Sequence, residues 1–167
     1  YDDFTEAYAN SSIEHAITIG GGALYATEAQ RLLKLIRTKN PTVFKKLDTA
    51  GIGIDLDTKN WATYKVQKGS DKAKCIQKII GSATGIKCQD LLIDEQMQAY
   101  VDEVSALGVT DIQALLMCAN FRHQGGLSAV KRILAKTQKP YTLNNVYKAC
   151  QSSIRNLQRP RPEAKGI

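Results

Sequence analysis

Apolar residues return at helical spacing along most of the chain. From Thr27, the positions Ala29, Leu32, Leu33 and Ile36 mark one face of an amphipathic helix, and Asn40-Pro41 stops it. Thr27 and Gln30 stand at the spacing of a capping box. Val43, Phe44 and Leu47 predict a short second helix. The segment "AGIGIDLDTKNWATYKVQKG", 50–69, mixes its periods and is rich in glycine, so it reads as loop with at most a short strand or helical turn near Trp61. Trp61 itself is expected as a core anchor. Ser70 then caps a helix carrying Ala73, Ile76, Ile79 and Ile80, which Gly81 ends. From about Gln89 another helix places Leu92, Met97, Tyr100 and Val104 on one side, up to Gly108.

Thr110 and Gln113 form a second capping-box pair. The helix they open holds Ile112, Leu115, Leu116 and Ala119, joined by Met117, Cys118 and Phe121. That apolar girdle is wider than a surface helix needs, which predicts the central, nearly enveloped helix of the domain. Leu127, Val130, Ile133 and Leu134 resume the pattern, and Thr142 caps a last helix through Val146, Tyr147 and Cys150. The expected fold is mainly α, with six or seven helices and little or no sheet. One domain is expected over 1–156, with 157–167, "LQRPRPEAKGI", as linker or tail.

The formal charge of +7 predicts attraction to polyanions, among which nucleic acid, anionic lipid and the bacterial cell wall all qualify. The positive charges are spread along the chain with no run of five, the pattern of a solvated surface. No apolar run approaches the ~18 to 20 residues of a membrane span, so membrane insertion is not expected. Tyr1-Asp2-Asp3-Phe4 is not the basic-then-apolar start of a secretory leader.

Cys75, Cys88, Cys118 and Cys150 form no Cys-x-x-Cys pair, and neither His15 nor His123 stands at zinc-ligand spacing from them. Neither a metal nor a cofactor is expected, and the cysteines read as small buried hydrophobes. Asp55, Asp57 and Lys59 alternate as in a calcium loop, but a lysine is the third ligand and Asn60 replaces the turn glycine.

Three places invite chemistry. "IGGGAL", 19–24, lacks the spacing of a phosphate-binding loop, so its glycines signal either a close backbone approach or a mobile turn. In "CANFRHQGGLSAVKRIL", 118–134, Gly125-Gly126 is suited to a left-handed cap. Arg122, His123 and Gln124 in the last turn would then offer donors to sugar hydroxyls at a cleft, although the helix dipole alone also favours cations there. In "DDFTEAYANSSIEH", 2–15, Glu6 and Glu14 are the acids that glycoside hydrolysis would require. One must be protonated to assist the leaving oxygen; the other must be ionised to activate water or stabilise the cation.

The stretch "AITIGGGALYATEAQRLLKLI", 16–36, resembles the chitosanase/lysozyme-like peptidoglycan hydrolase domains of phage endolysins of clostridia and their relatives. Ala16, Ile19, Gly20, Thr27, Ala29, Leu32 and Leu33 fall on that family's pattern. "LLMCANFRHQGGLSAVKRIL" is similar to its helix ending beside the cleft, and "KPYTLNNVYKA" to its closing helix, so the likeness covers roughly residues 6–155. The resemblance implies a two-lobed helical domain with a cleft for a polymer of N-acetylated amino sugars. It implies Glu6 as general acid, Glu14 as the second acid, and Tyr8, Gly20, Tyr25, Arg122, His123 and Gln124 as substrate-binding residues. The family's glycine after the first acid is Ala7 here, its Gln-Trp pair is Ala23-Leu24, and the stretch between the acids is a few residues short.

The expected protein is therefore a glycoside hydrolase made in the cytoplasm, one domain of a larger chain, whose partner is bacterial peptidoglycan and not nucleic acid. The alternative is a non-catalytic helical module that binds wall polymer or nucleic acid through its positive charge.

Overall fold

The computed structural model describes residues 1–7 and 14–157. The chain divides into two compact units, Tyr1–Asp94 and Glu95–Ile167. Among the described residues the protein is mainly helical, as the periodicity predicts. Seven α-helices are joined by a 3-10 turn, Trp61–Thr63, and by three strands of two residues each.

The first unit opens with a small antiparallel sheet in the order β1 (Phe4–Thr5), β2 (Thr18–Ile19), β3 (Leu24–Tyr25). Phe4 pairs with Ile19 and Thr5 with Thr18, while Thr18 also pairs with Tyr25 and Ile19 with Leu24. Helix α1, Thr27–Lys39, buries Ala29, Leu32, Leu33 and Ile36. Its start differs from the expected capping box: Ala26 takes the N-cap with a φ of 52° and no side-chain cap. Gln30 instead donates its Nε2 hydrogen to the carbonyl of Leu56 at 2.9 Å. Helix α2, Pro41–Leu47, begins where proline's missing N–H costs nothing, and the side chain of Asn40 accepts from the N–H of Val43.

The expected loop 50–69 is partly helix. Helix α3, Ile52–Thr58, places Ile52 and Leu56 one turn apart in the core. The Asp48 carboxylate accepts from the N–H groups of Ile52 and Gly53 at 2.6 and 2.7 Å, satisfying donors that a helix start leaves unpaired. Trp61 is 2% exposed, stacks on Tyr64 at 4.2 Å between ring centroids and donates its indole hydrogen to the carbonyl of Asp55. Helix α4, Asp71–Ile80, is capped by Ser70 as expected, its hydroxyl accepting from the N–H of Ala73. These elements enclose one core, running from Phe4 to Leu92.

Helix α5, Ala83–Ser105, starts six residues before the expected Gln89. Ser82 accepts from the N–H of Gly85 at its first turn. The second unit contains the end of α5 together with α6, Ile112–Leu134, and α7, Leu143–Leu157. Its core is smaller and holds Val104, Val109, Ala114, Cys118, Val130, Leu134 and Val146. Asp111, not Thr110, caps α6, its carboxylate accepting from the N–H of Ala114 at 2.8 Å. Thr142 caps α7, with the N–H of Asn145 donating to its hydroxyl.

The expected envelopment of α6 fails over its first turns. Ala114, Cys118 and Ala119 are buried, but Ile112 is 73% exposed and Leu116 55% exposed. Over these turns the fully buried residues are small, while Leu115, Met117 and Phe121 pack against the core only partly buried. Free Cys75, Cys88 and Cys118 are buried, as expected of small hydrophobes.

A candidate site at the β1–β2 connection

The connection from β1 to β2 carries both candidate acids. Glu6 follows β1 directly and is exposed; its Oε2 accepts from the N–H of Lys68 at 2.8 Å, in the turn that leads to α4. Glu14 is half-buried near the far end of the same connection. The next residue, His15, donates its backbone N–H to the hydroxyl of Tyr25 on β3 at 2.8 Å. Glu6 and the backbone next to Glu14 are thus each fixed to another part of the first unit. Tyr8 lies outside the described residues.

The glycine run behind this edge makes the close approach that its sequence left open. Gly20 has a φ of 76°, which favours glycine, and a Cβ there would fall 2.5 Å from Oε1 of Gln89. A Cβ on Gly22 would meet Ile93 at 2.9 Å. Gly20 also donates its N–H to the carbonyl of Asp3, joining the turn to the start of β1.

Gln89, which periodicity had marked only as the start of a helix, organises this corner. It is fully buried and accepts from the N–H of Gly21 at 2.9 Å. Its Nε2 donates to the carbonyls of Tyr1 and Ile80, both at 2.9 Å. One carboxamide thereby holds the N-terminal segment, the glycine turn and the end of α4. The only clue in the sequence was a polar residue placed between apolar helical positions.

A second buried polar group stands on α3. Asp55 accepts from the Tyr64 hydroxyl at 2.5 Å and pairs with the ammonium of Lys72. Burial pushes its carboxyl up, but hydrogen bonds from Lys72 and Tyr64 outweigh this and hold it below the usual carboxylate range. Burial and the same carboxylate raise the Tyr64 phenol. Asp57 pairs with the Arg37 guanidinium through two 2.8 Å contacts. Both calcium-loop aspartates are therefore engaged by cations, and no cluster fit to hold a metal occurs among the described residues.

The Arg122, His123 and Gln124 corner belongs to the second unit. Gly126 has a φ of 75° and a ψ of 171°, so the first helical stretch of α6 ends at the glycine pair with a positive-φ residue, as expected, and a second stretch resumes beyond the kink and runs to Leu134. Arg122 is bound to Glu103 through Nε at 2.5 Å and Nη2 at 3.3 Å, and its guanidinium lies 4.7 Å from the centroid of the Tyr100 ring. The Arg122 hydrogen bond holds the Glu103 carboxyl below its usual range. His123 is exposed, with its ring 6.0 Å from that of Tyr100, and Gln124 donates to Asn120 one turn back.

An open groove in the first unit, lined by Asp2, Lys74, Gln77, Lys78 and Ser82 among others, contains none of the expected site residues. Comparison with protein-family models, curated proteins and solved structures finds no match to this chain. No helix among the described residues is long and apolar enough to cross a membrane.

Proposed function

We propose that the protein is a peptidoglycan glycoside hydrolase in which Glu6 protonates the leaving glycosidic oxygen and Glu14 stabilises the developing cation or activates water. The observation that supports this reading is the placement of both acids on the connection that closes the β1–β2 pair. Glu6 is held by the N–H of Lys68, and the backbone next to Glu14 by the hydroxyl of Tyr25. Two carboxyl groups on one tethered edge is the minimum such chemistry needs, because acid and base must be held apart in role and in surroundings. Tyr25 supplies an exposed aromatic ring on the same sheet.

Incubation with purified peptidoglycan, followed by mass analysis of the fragments, tests the reading. New reducing ends are expected, and their identity names the sugar that is cut. Glu6→Gln preserves shape but removes the proton, so turnover is expected to fall by about 100-fold or more while glycan fragments still bind. Equal digestion by wild type and Glu6→Gln would move the acid elsewhere, with Glu14 the next candidate.

One observation favours the alternative of a wall-binding module without catalysis. A general acid keeps its proton near neutral pH in partly desolvated surroundings, and Glu6 is exposed among the described residues. Sedimentation with cell wall in the absence of any released reducing ends would select that reading.

A further inference from the structure

Between Asp111 and Glu163 the chain has no acidic residue at all. Over that span Arg122 is neutralised by Glu103, but Lys131, Arg132, Lys136, Lys139 and Lys148 have no ion-pair partner among the described residues, and all five are exposed. Helices α6 and α7 pack against each other through Val130, Leu134 and Val146. Lys131 and Arg132 are exposed on the last turns of α6, Lys136 is exposed in the turn that follows it, and Lys148 stands on α7 away from buried Val146. The inward side of this helix pair is core, and its exposed positions carry cations and neutral residues but no acid.

A solvated protein surface ordinarily intersperses both signs of charge, because like charges crowded together repel and weaken the folded state. Exposed cations with no acid among them gain from an anionic partner that supplies the missing sign. Four of the five groups are lysines, compact point charges suited to a flexible chain of anions rather than to planar two-point recognition. Proteins that hold single-stranded nucleic acid add aromatic platforms on which bases stack. Here the Tyr141 ring, ahead of α7, is faced by the Lys139 ammonium at 5.6 Å, and Tyr147 is the exposed ring of α7, a single platform where successive stacked bases need several. The chemistry fits a phosphate chain without bases.

We propose that the outward face of the α6–α7 pair binds the phosphodiester backbone of an anionic wall polymer of the poly(glycerol phosphate) type, an inference that rests on the wall-hydrolase reading. The face holds the protein on its substrate, while the bond is cut elsewhere. Affinity falls as salt rises, since binding displaces counterions from the polyanion.

Co-sedimentation with cell-wall sacculi, either native or stripped of phosphodiester polymer by hydrofluoric acid, tests this. The variant combining Lys131→Gln, Arg132→Gln, Lys136→Gln and Lys148→Gln should lose about tenfold or more in affinity for native sacculi. Wild type should lose a similar factor on stripped sacculi. A control of equal charge change in the first unit, combining Lys45→Gln, Lys46→Gln, Lys65→Gln and Lys87→Gln, should stay within about twofold of wild type. Circular dichroism checks that all variants fold. Equal loss in the control assigns binding to net charge and overturns the proposal. Unchanged binding by the four-residue variant, or equal binding of wild type to stripped sacculi, also overturns it. Tighter binding of a single-stranded oligonucleotide of the same charge would reassign the face to nucleic acid. Release of reducing ends from stripped peptidoglycan is scored separately, so failure of the hydrolase reading is distinguishable from failure of this one.

Discussion

The two units are built on different principles. In Tyr1–Asp94, buried polar groups tie distant segments together: Gln89 joins three of them, and Asp55 joins α3 to Tyr64 and α4. Each is satisfied, so the low-dielectric surroundings that make an unpaired group costly here reinforce a single arrangement. In the second unit helix packing dominates: the buried core is a modest set of mostly small and β-branched side chains with Leu134, while Ile112, Leu116 and Tyr147 remain outside it. The first unit fixes distant segments to one another through buried polar groups. The second leaves its outer surfaces free for contact.

The largest effect expected from this contrast is in the first core. Leu33→Ala should cost about 3 to 5 kcal/mol in urea unfolding, because Leu33 is completely buried and its neighbours can fill the cavity only in part. A loss under about 1 kcal/mol would show that this core is loosely packed and remove the contrast.

Asp55→Asn should cost about 2 to 3 kcal/mol at neutral pH by leaving Lys72 and the buried network without their charge. The pH dependence follows from the lowered folded-state pKa of Asp55. Its contribution is complete above the unfolded value of about 3.9 and is lost as pH falls through the folded value. The stability gap between wild type and Asp55→Asn should therefore narrow below about pH 4. A gap that stays constant there would mean that the carboxylate is not the source of the stabilisation.

Gly20→Ala should cost about 2 kcal/mol, since alanine at a φ of 76° is strained and its Cβ would crowd the Gln89 carboxamide. Combining it with Gln89→Ala would sharpen the point: the two losses should add to less than their sum, because the second change removes the clash. Strict additivity would separate the turn from its anchor.

The smallest effect belongs to the second unit. Leu116→Ala should cost less than about 1 kcal/mol, since the side chain is already largely in water. A loss of about 2 to 5 kcal/mol would restore the enveloped helix that its apolar girdle suggested, and would end the distinction between the units.

Much of the helical framework was legible in the residues themselves. The Thr27 and Ser70 helices, the stop at Asn40-Pro41 and the cap at Thr142 follow from local stereochemistry, where a 3.6-residue period and a hydroxyl or proline act within a few positions. Helix α3 was hidden because only Ile52 and Leu56 mark its face, and Asp48, outside the helix, satisfies its first N–H groups. For the candidate site, sequence could single out Glu6, Glu14 and Tyr25, but not that Tyr25 fixes His15 or that Lys68 holds Glu6. The cationic face was present as a gap in the acids, which a search for runs of bases does not detect.

By itself, then, the sequence determined most of the segments that become helices, α3 excepted, and which side of each is apolar, since both depend on neighbours a few residues away. Only the tertiary structure decided which apolar side finds a partner. Cys118 is buried and Leu116 is not, although they lie on the same helix two residues apart. The same holds for Gln89, whose carboxamide meets Tyr1, Gly21 and Ile80 only once the chain has brought them together. Hydrogen bonds between remote segments leave no periodic trace, and burial depends on what packs opposite, which no local pattern encodes.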